Sequence, residues 1–271
     1  MTEFTDKFST LVEEKSSILC VGLDPALPTQ RSKDVISKEY LKNIDDNEAR
    51  LNFCLDIVEI TKDYCCAFKP NQQYVAGFTR THHQKITSAI RKANAISILD
   101  YKLNDIGDTV ESALFHIHQW GYDAVTFNPF LGNTEITVRV AHKYVPEIGI
   151  IVLVLTSNTE AIRYQKEAMI GSKPVYLAVA DDVKKFNADG CVVGATGHVT
   201  NNDIVRVRAT IGDEKVLLIP GVGAQRGDPE KAIKAGGRNV LVNVGRDIVY
   251  SNNPKEKAKS YSEMFQKIKK N

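Results

Sequence analysis

Eight short apolar runs recur along the chain, at residues 18–24, 65–71, 95–102, 123–129, 149–156, 191–196, 215–221 and 239–245. Each is too short for a typical helix, and most are rich in Val, Ile or Leu, so each reads as a buried strand. Between them lie segments with helical periodicity, at 48–64, 74–94, 106–120, 134–144, 174–186, 202–210 and 229–235, with a closing helix at 254–269. The first 17 residues form a polar amphipathic helix, and residues 33–47 a loop or short helix. Strand and helix repeated eight times in 271 residues predict an α/β fold: a single (β/α)8 TIM barrel with an N-terminal helix, one domain over 1–271. A doubly wound open sheet is the alternative. No internal repeat or domain break interrupts the pattern. The longest irregular stretches, 25–47 and 157–173, each follow a strand directly.

Barrel sites sit at the C-terminal ends of the strands. Nearly every predicted strand ends in something polar: Asp24; Lys69 and Asn71; Asp100 and Lys102; Asn128; Thr156 and Ser157; Thr196; Pro220 with Gln225 beyond it; Arg246. The third run is the most informative. AISILDYKLNDIGDTV, at 95–110, passes from an apolar strand straight into Asp100, Lys102, Asp105 and Asp108. Strand side chains alternate faces, so Asp100 and Lys102 point the same way. Asp105 lies beyond the strand, and Asn104 or Asp105 caps the helix that follows. A lysine held between carboxylates stays protonated and keeps them ionised. Such an array can donate a proton without a metal or a cofactor. The plainer reading is a surface ion pair with a helix cap. Against it stands Lys69, which ends the neighbouring strand and can meet Asp100 at the mouth.

Two late segments read as anion cradles: PGVGAQRGD at 220–228 and NVGRD at 243–247. Glycines let backbone amides approach an oxyanion, and barrels often hold phosphate at this pair of loops. Arg246 can grip it with two hydrogen bonds. The glycine spacing is not that of a dinucleotide fingerprint.

Composition narrows the partners. With 35 basic and 33 acidic residues the net charge is +2, which gives no bias toward nucleic acid or membrane surfaces. No apolar run approaches the roughly 20 residues needed to span a bilayer. The polar N-terminus is not a signal peptide, and no phosphoribosyltransferase domain is expected on this chain. Five cysteines without zinc-site spacing read as reduced buried thiols in a cytoplasmic enzyme. His82 and His83 read as a solvated helix face. His116 and His118 fall on different helix faces, a poor arrangement for a metal, and Trp120 reads as packing.

With these pieces placed, the chain resembles the orotidine 5′-phosphate decarboxylases, in the longer bacterial branch that is also similar to the protozoan enzymes. The resemblance runs nearly the whole length. It rests on VGLDP at 21–25, FKPN at 68–71, DYKLNDIGDT at 100–109, TSN at 156–158, PGVGAQRGD at 220–228 and VGR at 244–246. The D-x-K-x-x-D block alone is shared with sister barrels acting on sugar phosphates, including magnesium-dependent ones that carry glutamate where this chain has Lys69. A non-catalytic nucleotide-binding barrel is a further rival. The resemblance implies a metal- and cofactor-free conversion of orotidine monophosphate to uridine monophosphate, the last step of de novo pyrimidine synthesis. It implies a catalytic array of Lys69, Asp100, Lys102 and Asp105, with Lys102 as proton donor. Asp105 and Thr109 would come from the partner subunit of a homodimer. Ribose contacts would be Asp24 and Asn71. Base contacts would be Thr156 or Ser157 and the backbone at Pro220. Phosphate contacts would be Gln225, Gly245 and Arg246, and residues 224–229 resemble a mobile lid.

Overall fold

The computed structural model describes residues 2–223 and 227–270. Eight parallel strands close into a barrel: β1 (Leu19–Leu23), β2 (Ala67–Pro70), β3 (Ile96–Leu103), β4 (Ala124–Phe127), β5 (Gly149–Leu155), β6 (Gly190–Val193), β7 (Val216–Pro220) and β8 (Val240–Val244). Each pairs with its sequence neighbour, and β1 closes the ring on β8 with Leu19 opposite Val242. Helices lie between successive strands, so the (β/α)8 expectation holds and the open sheet is excluded.

Two apolar layers hold the barrel. The larger joins the outer faces of the strands to the helices. The smaller fills the interior with Cys20, Ala67, Ile96, Ile98, Ala124, Ile151, Val216, Leu218 and Leu241. Into its lower end the N-terminal helix, Glu3–Lys15, inserts Phe4, Phe8 and Leu11. That helix opens with a Thr2–Thr5 capping box. It is fastened by the buried Asp189 carboxylate, which accepts from the Thr2 hydroxyl, from the Ile150 amide at 2.8 Å and from His142 Nε2 at 2.9 Å.

Interior positions change character along each strand. In β3, Ile96 and Ile98 lie in the floor, and Asp100 and Lys102 continue the same alternation upward. In β4, Thr126 follows Ala124, and in β8, Asn243 follows Leu241. The sequence thus writes an apolar floor and a polar mouth into single strands.

Several boundaries differ from the sequence reading. The helix expected at 74–94 begins at Arg80, because residues 72–78 are spent on turns. The helix after β3 starts at Gly107 with Ile106 as its N-cap, and neither Asn104 nor Asp105 caps it; Asp105 Oδ1 instead accepts from the Ile106 amide at 2.9 Å. The segment after β5 is not structureless. It holds a π-helix, Ile162–Glu167, and a two-stranded antiparallel ribbon of Met169–Ile170 with Lys173–Pro174. The five cysteines are free and buried, as expected. His83 is not solvated: it is buried, stacks on Trp120 at 4.2 Å between centroids and meets the Tyr122 hydroxyl at 3.0 Å. Burial lowers its pKa to about 4, so it packs as a neutral ring.

Candidate active site

The mouth is built on the ends of β2, β3 and β4. Asp100 lies at its centre, with its backbone bridged to Asn71 at the end of β2. Lys69 Nζ donates to Asp100 Oδ2 at 2.6 Å, and Lys102 Nζ donates to Asp100 Oδ1 at 2.7 Å. One carboxylate is therefore held between two ammonium groups. Burial opposes ionisation of Asp100, but Lys69 and Lys102 outweigh it and set its pKa far below the carboxylate range. Burial likewise opposes the charge on Lys69, and Asp100 and Asp24 overcome it, so its pKa lies above the ordinary lysine value. Both stay ionised across the neutral range.

The two lysines are not equivalent. The Lys69 side chain is 7% exposed and that of Lys102 is 48% exposed. Lys69 is a fixed internal counter-charge, while Lys102 opens to the mouth. Lys102 also has φ of +53°, in the left-handed region that a lysine adopts only at a cost of about 1–3 kcal/mol. The register between β3 and β4 shifts at this point. Thr126 sustains the bend: its Oγ1 accepts from the Lys102 amide at 2.9 Å and donates to Asp100 Oδ1 at 3.0 Å. Thr126 is buried and was not among the residues expected from sequence. Only its inward parity on a short strand marked it.

A second cluster adjoins the first. Asp24, Pro220, Gly221, Gly223, Asn243, Gly245 and Arg246 line a cavity of about 110 Å3 at the ends of β1, β7 and β8. It brings together three residues expected at the phosphate and ribose, Asp24, Gly245 and Arg246, with Pro220, whose backbone was expected at the base. Asp24 Oδ1 and Asn243 Oδ1 are buried there without a hydrogen-bond partner among the described residues. Both are acceptors, suited to a ligand that brings hydroxyl donors. Tyr250 fixes the backbone of the loop after β1, donating to the Asp24 carbonyl at 2.6 Å and accepting from the Ala26 amide at 2.9 Å. Asn243 and Tyr250 were likewise not anticipated from sequence.

Other expected residues are placed differently. Asn71 Oδ1 caps its own turn, accepting from the Gln73 amide at 3.1 Å. Thr156 and Ser157 follow β5 at the rim. Asp105 and Thr109 stand outside the charge array of their own chain: among the described residues Asp105 has no ion pair, and Thr109 is exposed in the first turn of the helix after β3. Gln225, with the first part of the expected lid, lies outside the described residues. No group of three or more His, Cys, Asp or Glu side chains is arranged to hold a metal among the described residues.

Comparison with known proteins agrees with the fold. Residues 17–261 match the model of the orotidine 5′-phosphate decarboxylase / HUMPS family. The orotidine 5′-phosphate decarboxylase of Janthinobacterium sp. is 35% identical over 257 residues, 92% of this chain and 90% of that one. That of Cupriavidus metallidurans is 34% identical over 262 residues, 93% of this chain and 91% of that one. Among solved structures, the OMP decarboxylase of Leishmania donovani superposes with a TM-score of 0.79 at 26% identity, covering 97% of this chain and 99% of that one. The UMP synthase of the same organism gives a TM-score of 0.81 at 26% identity over 99% of this chain, which spans 57% of that longer protein. Fold, mouth and sequence likeness over nine-tenths of the length together place this chain in the orotidine 5′-phosphate decarboxylase / HUMPS family.

Proposed function

We propose that this chain decarboxylates orotidine 5′-monophosphate to uridine 5′-monophosphate, the closing step of pyrimidine nucleotide synthesis in the cytoplasm. The observation that carries the reading is the Lys69–Asp100–Lys102 array beside the cavity of Asp24, Asn243, Gly245 and Arg246. In this reading Arg246, Gly245 and Gln225 hold the phosphate. Asp24 and Asn71 hold the ribose. Thr156 or Ser157 and the backbone at Pro220 hold the pyrimidine, with C6 toward Lys102.

The bond from C6 to the carboxyl carbon breaks, CO2 leaves, and the electron pair stays on C6. The ring offers no sink for that pair, so a fixed positive charge must meet it. The Lys102 ammonium does so and then gives its proton to form the C6–H bond. Its half-exposed side chain supports reprotonation from solvent. Asp100, ionised and immobile, repels the substrate carboxylate until CO2 departs. Two unit charges about 4 Å apart cost about 4 kcal/mol at an effective dielectric near 20. Relief of that cost corresponds to roughly three decades of rate. No metal or cofactor enters these steps.

Asp105 and Thr109 act across a homodimer interface in this reading, each completing the partner's site. Their separation from the array of their own chain supports this. So does the apolar surface beside them: Ile106 is 61% and Phe130 79% exposed, and Asn133 donates to the Asp105 carbonyl, tying the two loops together.

The test is turnover of orotidine monophosphate, followed as loss of its ultraviolet absorbance with EDTA present. Decarboxylation that survives the chelator is expected. Absence of turnover in folded dimeric protein would overturn the substrate, and turnover lost to EDTA would point to the metal-dependent sisters.

A further inference from the structure

We infer that Gln165 is a positioning residue for the pyrimidine-binding rim, acting from the segment inserted after β5. The inference rests on the reading that Thr156 or Ser157 contacts the base.

At the end of β5 the strand register with β6 shifts between Leu153 and Leu155. The last ladder bond is from the Gly194 amide to the Leu155 carbonyl at 2.8 Å. Beyond it the Thr156 amide has no strand partner. Gln165 Oε1 supplies one, accepting from that amide at 2.8 Å. The same oxygen lies 3.2 Å from the Thr156 hydroxyl, whose single proton is shared with Asn158 Oδ1 at 2.8 Å. Gln165 sits within the π-helix at Ile162–Glu167, a distortion often found at functional sites.

The next residue anchors the insert. Lys166 Nζ donates to Asp203 Oδ2 at 2.8 Å and to the His198 carbonyl at 3.0 Å. Asp203 in turn closes the capping box of the helix after β6. Consecutive residues of one π-turn thus brace two neighbouring strand ends. The opposite side of the rim is closed by glycines. A Cβ on Gly194 would stand 2.9 Å from Ser157 Cβ, and one on Gly197, at φ of +66°, 2.5 Å from the Ser157 carbonyl oxygen. The backbone of Thr156–Ser157 is therefore held from one side by Gln165 and from the other by the β6 loop. Only the acceptor oxygen of Gln165 does this, so glutamate can replace it and leucine cannot.

The experiment compares Gln165→Leu and Gln165→Glu with the parent protein by titration calorimetry against uridine monophosphate and ribose 5-phosphate, which lacks the base. Gln165→Leu is expected to weaken uridine monophosphate about tenfold, as loss of one well-placed hydrogen bond does. It should leave ribose 5-phosphate unchanged, and Gln165→Glu should restore nucleotide affinity. In turnover, KM rises more than kcat falls. Equal nucleotide affinity in all three proteins, or equal weakening of both ligands, overturns the inference. Amide hydrogen exchange at Thr156 tests the brace without any ligand: it should quicken in Gln165→Leu and not in Gln165→Glu. Unchanged exchange overturns the inference by itself, whereas a parent protein that binds no uridine nucleotide overturns the substrate reading and leaves the brace to the exchange data.

Discussion

Lys102 combines an exposed ammonium, a carboxylate partner and a left-handed backbone, and each has a separate consequence. Replacing it with alanine removes the charge that meets the C6 electron pair. Lys102→Ala is expected to reduce kcat by at least about four decades, beyond the range of general acid catalysis alone, while uridine monophosphate still binds. Near-normal turnover would remove Lys102 from the mechanism. The backbone strain has its own test at Thr126. Thr126→Val keeps the shape but leaves the Lys102 amide without its acceptor. That unmade bond costs about 1–3 kcal/mol, and kcat is expected to fall about tenfold or more with KM little changed. A variant with parental kcat would show that the bend survives without the hydroxyl. The charge array was legible in the sequence because inward parity and strand position fix where Asp100 and Lys102 point. Thr126 was not, since a lone threonine in a buried strand looks the same whether it packs or bonds.

The elements were readable where their pattern is local and hidden where it is not. Each strand is a short, mainly apolar run with polar residues near its C-terminal end, and all eight lie close to the limits read from the sequence. His83 is buried rather than solvated, because helical spacing alone does not say which face meets Trp120 and Tyr122. The ribbon and π-turn after β5 were invisible for a similar reason: Gln165 and Lys166 gain their partners only when β6 and its helix are in place. The N-terminal helix shows the energetic side. Phe8 is buried in the barrel floor, so Phe8→Ala is expected to cost about 3–5 kcal/mol with kcat unchanged, read from a denaturation midpoint. Its latch is pH-dependent. The hydrogen bond to Asp189 raises the pKa of His142 against a smaller effect of burial. A raised folded value means the stabilisation is complete below the ordinary histidine pKa of about 6.5 and is lost as pH climbs through the folded value. The Tm advantage of the parent over His142→Gln should therefore be larger at about pH 6 than at about pH 9. An equal or inverted difference would refute the latch.

At the scale of the whole molecule, the split between the array and Asp105 makes a prediction that no single-chain active site can satisfy. Lys102→Ala and Asp105→Ala should each be inactive alone. Mixed, dissociated and re-paired at random, they should regain roughly a quarter of parental activity, since half the dimers then carry one intact site of two. No recovery, with exchange verified by mass spectrometry, would place Asp105 in its own chain's site. The ring of strands carries a different consequence. β1 stands between β2 and β8, so the first strand made is paired on one side with the last. While the chain is being synthesised, β1 and β7 both present bare backbone edges until residues 240–244 emerge. Drawing such distant ends together is entropically slow, and open edges recruit other chains. Loss of β8 would therefore leave two adhesive seams rather than a slightly shorter barrel. For this protein, translation stalled late is a route to aggregation, and the ring's own last stave is its protection.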